Sequence, residues 1–427
     1  MSSRRLLVPV VAAVLTSGPA AGQTLREAYE ELFIFGQCGE VVCLDVSPTL
    51  HGNHFKSVAE QAGTNMIAFV LQSIGSSLSS IPIPSSNAGQ VFFFEDGRLV
   101  SRPTSAGPVF LERSQTLGQG ILLVGFNLGR VSPSNLRGEP LDDLELTFTH
   151  EDVGTAGLGD PDFENDVIRV TTDVQLDLTV ASLFLSYGMG SAIDIGVALP
   201  IVHTSLSGTS AAQIIEFQSP SPHRFLVNGE QSLTSSSSAD ASATGLGDIA
   251  LRAKANLAQR ERFGLAAMAE VRLPTGDEDN FHGTGNTTAR FLAIASLPQR
   301  TVSPHLNAGF TLRTGDGEAS SVTLRGGLDA LLGSAVTGSV EVLGDLLIED
   351  PGNDEAVTRQ VNYQFPIVRT QSVSDIPDQQ DHVLDFVAGL KVQPSGRFRV
   401  VASMLVPLME GGVRPDFQWT IGLEGIF

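Results

Sequence analysis

The residues at positions 417–427 alternate large apolar side chains with small or polar ones and end on an aromatic residue. Read with a period of two, one face of this segment carries the larger side chains, namely Phe417, Trp419, Ile421, Leu423 and Phe427. The opposite face carries Gln418, Thr420, Gly422 and Glu424. A strand with one apolar and one polar face is typical of a membrane barrel, which meets lipid outside and water inside. The segment therefore predicts a β-barrel of the bacterial outer membrane. Its apolar residues form the predicted assembly signal for the machinery that inserts such barrels.

The start of the chain predicts export. Two arginines at positions 4 and 5 precede an apolar run over residues 6–15, and small residues at 20–22 offer a cleavage site before Gln23. We therefore expect residues 1–22 to be a signal peptide. No later run reaches about eighteen consecutive apolar residues, so the length that a bilayer requires excludes a helical membrane protein. A soluble periplasmic protein or a barrel remains.

From about residue 116 to residue 427, alternation and turn signals divide the chain into about twelve strands. Short connections near residues 189, 260, 299, 333 and 395 alternate with longer ones at 131–170, 207–243, 275–286, 314–320, 350–382 and 410–416. Outer-membrane barrels have short turns at one rim and long loops at the other. The pattern favours an all-β, antiparallel transmembrane barrel over a soluble sandwich. We interpret the Ser-rich stretch that extends to about residue 244 as a low-complexity loop.

Charged residues occur opposite apolar rows on several predicted strands, where they would face the lumen. These lumen-lining candidates are Arg252, Lys254, Glu270, Arg272, Glu341, Asp345, Asp385 and Lys391. They would either select solutes or pair with one another to fill the interior. A net charge of −21 argues against nucleic acid as a partner.

Residues 23–115 do not follow the barrel pattern. Helical spacing joins Leu25, Ala28, Tyr29 and Leu32, a second apolar stripe covers residues 58–74, and residues 91–100 resemble a hairpin. Because about twelve strands leave a narrow lumen, this small α/β segment would either plug the barrel or form a periplasmic cap. Cys38 and Cys43 are candidates for a disulfide in an oxidising compartment. The sequence predicts no cofactor and no metal site.

Outer-membrane hydrolases offer an alternative function, because they also use barrels of about this size. His203 with Ser205, or His305 near a strand end, are the residues available for nucleophilic catalysis. No Gly-x-Ser-x-Gly elbow accompanies them, so the sequence favours a protein that is not an enzyme. The acidic stretches 160–166 and 275–279 lack EF-hand spacing, which favours solvated loops over calcium sites.

Specific motifs carry a resemblance to a known family. Gly245-Leu-Gly-Asp248, Leu273-Pro-Thr-Gly-Asp277, Leu306-Asn-Ala-Gly-Phe310 and Ile195-Gly-Val-Ala-Leu-Pro200 resemble segments of the outer-membrane barrel family named for the meta pathway of phenol degradation. The resemblance covers about residues 173–427. It implies a transporter-like barrel for hydrophobic or aromatic compounds. The N-terminal region departs from the family pattern, in which the barrel begins soon after the leader.

These observations predict a monomeric barrel in the bacterial outer membrane, surrounded by outer-membrane lipids. We expect a passive channel for small hydrophobic or aromatic molecules. The alternatives are a structural or surface barrel and a lipid-acting hydrolase.

Overall fold

A computed structural model describes most of the chain. The described residues are 23–37, 39, 42, 44, 68–71, 73–74, 90–95, 98–103, 105–149, 166–216, 223–299, 301–315, 318–348, 360–363, 369–395 and 397–427. The predicted signal peptide at 1–22, both cysteines and most of the acidic stretch 160–166 lie outside these residues.

The described chain is almost entirely β-structure. In chain order its elements are α1 (Leu25–Glu31), β1 (Gln90–Glu95), β2 (Arg98–Pro103), β3 (Leu122–Leu136), β4 (Glu139–Pro140), β5 (Leu144–Thr149), β6 (Val167–Gly188), β7 (Ile193–Ile215), β8 (Phe225–Val227), β9 (Glu230–Ser232), β10 (Thr234–Leu246), β11 (Ile249–Gln259), β12 (Gly264–Leu273), the 3-10 helix η1 (Glu278–Asn280), β13 (Thr288–Ser296), β14 (Val302–Arg313), β15 (Ser321–Leu331), β16 (Val336–Leu347), β17 (Gln360–Tyr363), β18 (Arg369–Ser372), β19 (Val383–Val392), β20 (Phe398–Pro407) and β21 (Val413–Ile426).

The long strands close into a barrel. Antiparallel pairing runs through β3, β6, β7, β11, β12, β13, β14, β15, β16, β19, β20 and β21, and β21 then pairs with β3. Leu122 and Phe427 exchange backbone hydrogen bonds of 2.9 and 2.8 Å at this junction. Because every strand has two neighbours, the barrel exposes no unpaired edge to lipid. The predicted all-β barrel of about twelve strands is confirmed.

The connections differ in length at the two rims. Turns of a few residues join the strands at one rim, which we call the short-turn end, for example between β6 and β7 and between β11 and β12. At the other rim, the long-loop end, most links are longer, for example between β12 and β13, although β20 and β21 are joined by only five residues. In outer-membrane barrels short turns face the periplasm, and this places the long-loop end outside the cell.

The outer surface of the barrel is apolar around its girth. Phe126, Phe310 and Ile421 have 48, 54 and 53% of their surface exposed, although a soluble protein would bury such residues. The exposed belt also contains Leu128, Leu183, Ile195, Leu251, Leu265, Phe291, Leu306, Leu324, Val342, Phe386, Leu390, Met404 and Leu423. This belt identifies a transmembrane barrel of the outer-membrane type. Within the described ranges, no helix is both long and apolar enough to cross a bilayer.

The Ser-rich stretch is a strand, so its interpretation as a loop was wrong. β7 continues to Ile215, and β10 pairs with it in unbroken register from Thr234 to Leu246. Serine and threonine alternate with alanine here, and their hydroxyls bond to the N-terminal helix: Ser210 and Ser237 donate to the carbonyls of Leu32 and Glu31. The strands β6, β7 and β10 therefore rise above the lipid belt as an extension of the barrel wall.

The extension reverses the usual placement of polar and apolar side chains. Val174, Leu176 and Leu178 of β6 are buried on its inward face. Asp177 points outward, where Arg130 pairs with it at 3.0 Å. The reversal follows from the surroundings, because this part of the wall has water outside and protein inside.

The protein inside the extension is the N-terminal segment. Thr24 caps α1 in a capping box with Glu27, and one face of the helix buries Leu25, Ala28 and Tyr29. These side chains form a single apolar cluster with residues 69–71 and 74 and with the inward residues of β6 and β7. β1 and β2 pair as the predicted antiparallel hairpin.

The first barrel strand begins later than predicted. It starts at Leu122 instead of near residue 117. Gly118 and Gly120 have φ angles of +96° and +78°, which interrupt the extended backbone before the strand. The residues that precede them lie inside the barrel.

Candidate functional site

The barrel interior holds a segment that does not pair as a strand. We call residues 105–117 the luminal segment; most of its residues are buried. Ala106 donates its backbone N–H to Thr337 at 2.9 Å, and Leu117 donates to Asp194 at 3.0 Å. Thr337 belongs to β16 and Asp194 to β7, which lie on different parts of the ring. The segment therefore crosses the lumen.

Glu341 is the main side-chain acceptor for the luminal segment. Its carboxylate accepts the backbone N–H groups of Val109, Phe110 and Leu111 at 2.5, 2.9 and 2.8 Å. Ser339 donates a further bond at 3.1 Å. One carboxylate thus accepts the N–H groups of three consecutive residues of the luminal segment. Glu341 therefore holds the middle of the segment to β16.

A second attachment uses an amide and a buried charge. Asn307 of β14 both accepts the N–H of Glu112 at 2.8 Å and donates to its carbonyl at 2.9 Å. The Glu112 carboxylate contacts Lys254 at 3.1 Å and Arg252 at 3.8 Å. Glu112, a residue of the luminal segment, thus pairs with two of the basic residues that the sequence predicts to line the lumen.

Apolar contacts support the polar ones. Val109, Phe110 and Leu111 form a buried cluster with inward residues of β16, β19 and β20, namely Leu343, Val387, Val401 and Leu405. Leu117 forms another cluster with Leu123, Phe184, Ala198 and Ala250. The luminal segment is consequently packed as well as hydrogen-bonded.

A network of buried charges follows the wall from β11 to β16. The Glu270 carboxylate lies 2.5 Å from Arg252, 3.3 Å from Arg272 and 3.8 Å from Arg290. Asp345 lies 3.1 Å from Arg325 and 4.0 Å from Arg290. Arg290 therefore connects the two carboxylates.

The remaining candidates lie on the neighbouring strands. Asp385 pairs with Arg414, and Lys391 lies 3.9 Å from Glu424, which also contacts Arg399. The eight residues that the sequence predicts to line the lumen are thus buried or half-buried in the structure, each with a charged or hydrogen-bonding partner.

Sequence reasoning missed several partners of these residues. Arg290, Arg325 and Arg399 stand at inward positions of predicted strands, and alternation alone would have found them. Glu112 and Asn307 had no such signal, since their contact joins positions 195 apart in the sequence.

The two histidines considered for catalysis form hydrogen bonds with other residues. His203 points outward, with Nδ1 2.7 Å from the hydroxyl of Thr244. Within the described residues it has no hydrogen bond to Ser205. His305 faces the lumen, where its ring lies 2.6 Å from Asp329 and 2.9 Å from Ser296. Among the residues that the structure describes, no cluster of three His, Cys, Asp or Glu is suited to a metal ion.

Two of the family-like motifs meet at the long-loop end. Asp248 accepts backbone N–H groups from Gly276 at 3.0 Å and Thr284 at 3.2 Å. The Thr275 hydroxyl donates to the carbonyl of Gly247 at 2.9 Å. In the same loop, burial lowers the pKa of His282. The Gly-Asp and Pro-Thr-Gly-Asp motifs thus fix the loop that follows β12.

Several solved barrels are similar to this chain. An outer membrane channel from Pseudomonas putida F1 is 12% identical, with 74% of this chain and 98% of that chain covered and a TM-score of 0.40. The KdgM porin is 8% identical, with 62 and 99% covered and a TM-score of 0.31. A FadL homologue from Pseudomonas aeruginosa is 13% identical, with 72 and 90% covered and a TM-score of 0.29. No curated protein matches the chain.

A family model matches the central part of the barrel. Its description is "Putative MetA-pathway of phenol degradation", and it covers residues 158–356. This range contains the motifs around Pro200, Asp248, Asp277 and Phe310. The match agrees with the resemblance that those motifs carry to the barrel family named for the meta pathway of phenol degradation, within the residues that the model covers.

Proposed function

We propose that this protein is an outer-membrane channel for the passive passage of small hydrophobic or aromatic molecules, with its N-terminal region acting as an internal plug. The resemblance to the phenol-pathway barrels supports the solute class. The barrel would function as a monomer within outer-membrane lipid, after insertion by the cellular barrel-assembly machinery.

The observation that carries the proposal is the way the lumen is closed. The luminal segment is held by side chains such as Glu341 and Asn307 and by apolar packing, whereas the wall is held by continuous backbone pairing. Side-chain contacts of this kind break independently of the barrel ladders. The segment therefore has the properties of a closure that opens without loss of the wall.

The interior also contains a group of apolar side chains. Ala266, Met268, Leu292 and Ile294 form an inward cluster on β12 and β13. A barrel whose interior served only to hold the wall together would fill these positions with paired charges, as it does on the same strands at Glu270 and Arg290. The apolar cluster supports passage of molecules with an aromatic or aliphatic body.

The alternatives have weaker support. Catalysis at His203 and Ser205 would require the ring to contact the nucleophile, and the ring contacts Thr244 instead. A surface barrel without transport needs no plug, and it would leave the contacts of the luminal segment without a function.

Uptake of a hydrophobic fluorescent dye into Gram-negative cells with an intact lipopolysaccharide layer tests the proposal. Cells that express the Glu341→Ala variant should take up N-phenyl-naphthylamine faster than cells that express the parent protein. Glu261→Ala, in an exposed turn, is the matched control. Equal uptake by all three strains, with equal amounts of folded barrel, would favour the surface-barrel alternative.

A further inference from the structure

Four arginines stand side by side on the inward face of adjacent strands. We call Arg272, Arg290, Arg313 and Arg325 the arginine cluster; they belong to β12, β13, β14 and β15. Pairing places Arg290 opposite Thr311, two residues from Arg313, and places Arg272 opposite Thr288. All four lie toward the long-loop end of the barrel, where a solute from outside the cell would arrive first.

The nearby carboxylates do not balance this charge. Glu270 is shared among Arg272, Arg290 and also Arg252, and Asp345 is shared between Arg290 and Arg325. Arg313 makes no salt bridge within the described residues; its guanidinium donates to the carbonyl of Ala319 at 2.8 Å and to the Ser321 hydroxyl at 3.4 Å. Among the described residues, four guanidinium groups therefore share two wall carboxylates. Glu112 also contacts Arg252, and Glu318 lies close enough to Arg313 for their charges to interact.

Donor groups in the cluster lack acceptors. The Nε atoms of Arg313 and Arg325 are buried and have no hydrogen-bond partner among the described atoms. A buried donor without a partner is unfavourable because it has lost its bonds to water without replacing them, and more so when it is charged. Excess buried positive charge is costly in the same way. Both costs fall when an anion enters the cluster.

The buried inward side chains next to the cluster are apolar. Leu292 is two residues from Arg290 on the inward face of β13, and Met268 is two residues from Glu270 on β12. Both belong to the inward apolar cluster with Ala266 and Ile294. A charged head group at the arginines would thus place its apolar body against these side chains, toward the short-turn end.

We propose that the arginine cluster binds the carboxylate or sulfonate group of a small aromatic acid, whose ring lies against Met268, Leu292 and Ile294. The inference deepens the proposed function and rests on it only for the route of the solute. It changes the preferred solute from a neutral hydrocarbon to an amphipathic organic anion. Guanidinium groups suit this ligand because their planar donors bond both oxygens of a carboxylate or sulfonate.

Calorimetry on the full-length protein in detergent tests binding without any need for transport. Benzenesulfonate and benzoate are the anionic probes, and benzyl alcohol is the neutral probe of similar shape. The parent protein should bind both anions at least about tenfold more tightly than the alcohol, which corresponds to about 1.4 kcal/mol. Equal affinity for anion and alcohol, or no binding of the anions, would overturn the inference.

Arg313→Gln is the informative variant, because Arg313 makes no salt bridge within the described residues. It should weaken benzenesulfonate binding about tenfold or more while leaving the benzyl alcohol affinity unchanged. Arg262→Gln, in an exposed turn, is the matched control and should bind like the parent. An unchanged anion affinity in folded Arg313→Gln protein would contradict the assignment. The Arg290→Lys variant keeps the positive charge but loses the planar donors, so it should bind the anion with intermediate affinity.

The two proposals fail separately in these measurements. If the barrel binds anions selectively but passes no solute in any variant, the proposed channel function is contradicted and the arginine site is supported. If the barrel conducts solutes but binds benzenesulfonate no better than benzyl alcohol, the channel function is supported and the arginine site is contradicted.

Discussion

The backbone N–H of Phe110 donates a hydrogen bond of 2.9 Å to the Glu341 carboxylate, joining positions 231 apart in the sequence. Val109 and Leu111 donate to the same carboxylate. One side chain of the wall therefore binds three consecutive amides of the luminal segment. Because none of these bonds belongs to the barrel ladder, the segment and the wall can be perturbed separately.

Loss of the Glu341 carboxylate should release the luminal segment. Hydrogen bonds to charged groups contribute about 1.5–3 kcal/mol each, so Glu341→Ala should weaken the closed state by about 3 kcal/mol or more. A membrane-impermeant maleimide should then label Phe110→Cys roughly 100-fold faster than in the parent background. Glu261→Ala should leave the labelling rate unchanged, and a background without Phe110→Cys measures labelling of Cys38 and Cys43. Equal labelling with and without Glu341 would refute its role.

A side chain at position 389 should be incompatible with the position of the luminal segment in the closed barrel. An added Cβ would lie 2.4 Å from Val109 and 2.6 Å from the Ser339 hydroxyl. Overpacking of this kind costs about 1–3 kcal/mol, and here the mobile partner is the segment. Gly389→Ala should therefore accelerate labelling of Phe110→Cys and leave the unfolding temperature of the barrel unchanged. Gly326→Ala is the control, since its Cβ would meet only Leu306 at 3.9 Å.

Anion binding at the arginine cluster should depend on pH through Glu318. Burial raises the pKa of this loop carboxyl, and the charge of Asp248 raises it further, while Arg313 and a hydrogen bond from Asn286 act in the opposite direction. Glu318 therefore takes up its proton at a higher pH than an ordinary glutamate does. Protonation removes a negative charge beside Arg313, so benzenesulfonate should bind more tightly as the pH falls through this pKa.

Glu318→Gln should mimic the protonated state. Its affinity for benzenesulfonate at neutral pH should equal the low-pH affinity of the parent, and the pH dependence should largely disappear. Benzenesulfonate suits this titration because it stays ionised throughout. Calorimetry from neutral pH down to pH 4.5, with Glu261→Gln as the control, measures both effects. A tighter complex at high pH than at low pH would contradict the sign.

Deletion of Phe427 should lower the yield of folded barrel. Phe427 exchanges backbone bonds with Leu122 at the closure of the ring, and its ring packs edge-on against Phe398 at 6.3 Å. Deletion removes both contacts and the predicted assembly signal. Phe398→Ala removes only the ring contact and should leave most of the yield. The fraction of protein that shifts in gel mobility on heating measures folded barrel in each case, and equal fractions for both variants and the parent would contradict this role.

The wall of the barrel was predictable because its physics is local. In β21, lipid and lumen impose opposite polarity on successive residues, so Ile421 and Gln418 reveal their faces through spacing alone. The same rule failed above the lipid belt. There the outside is aqueous, and Val174 faces inward to the N-terminal cluster while Asp177 faces water. A period of two shows that successive residues lie on opposite faces of a strand, whereas the surroundings decide which of the two faces is apolar.

The interior was predictable only in part. Lys254 and Glu270 stand at inward positions of regular strands, and their alternation revealed them. The partner of Lys254 is Glu112, which lies in a segment without periodicity and reaches the wall only in three dimensions. The Ser-rich composition around Ser237 is typical of turns and loops. In the structure, however, the Ser237 hydroxyl donates a hydrogen bond to a carbonyl of the N-terminal helix, and the local sequence carries no signal of this contact.

Single-channel recording in planar bilayers tests the central claim, namely that a closed membrane barrel is shut by a luminal segment that Glu341 holds. The parent protein should be closed for most of the record with rare openings. Glu341→Ala should open far more often at the same unit conductance, because the wall is unchanged. A folded and inserted Glu341→Ala barrel that stays as silent as the parent would contradict the account.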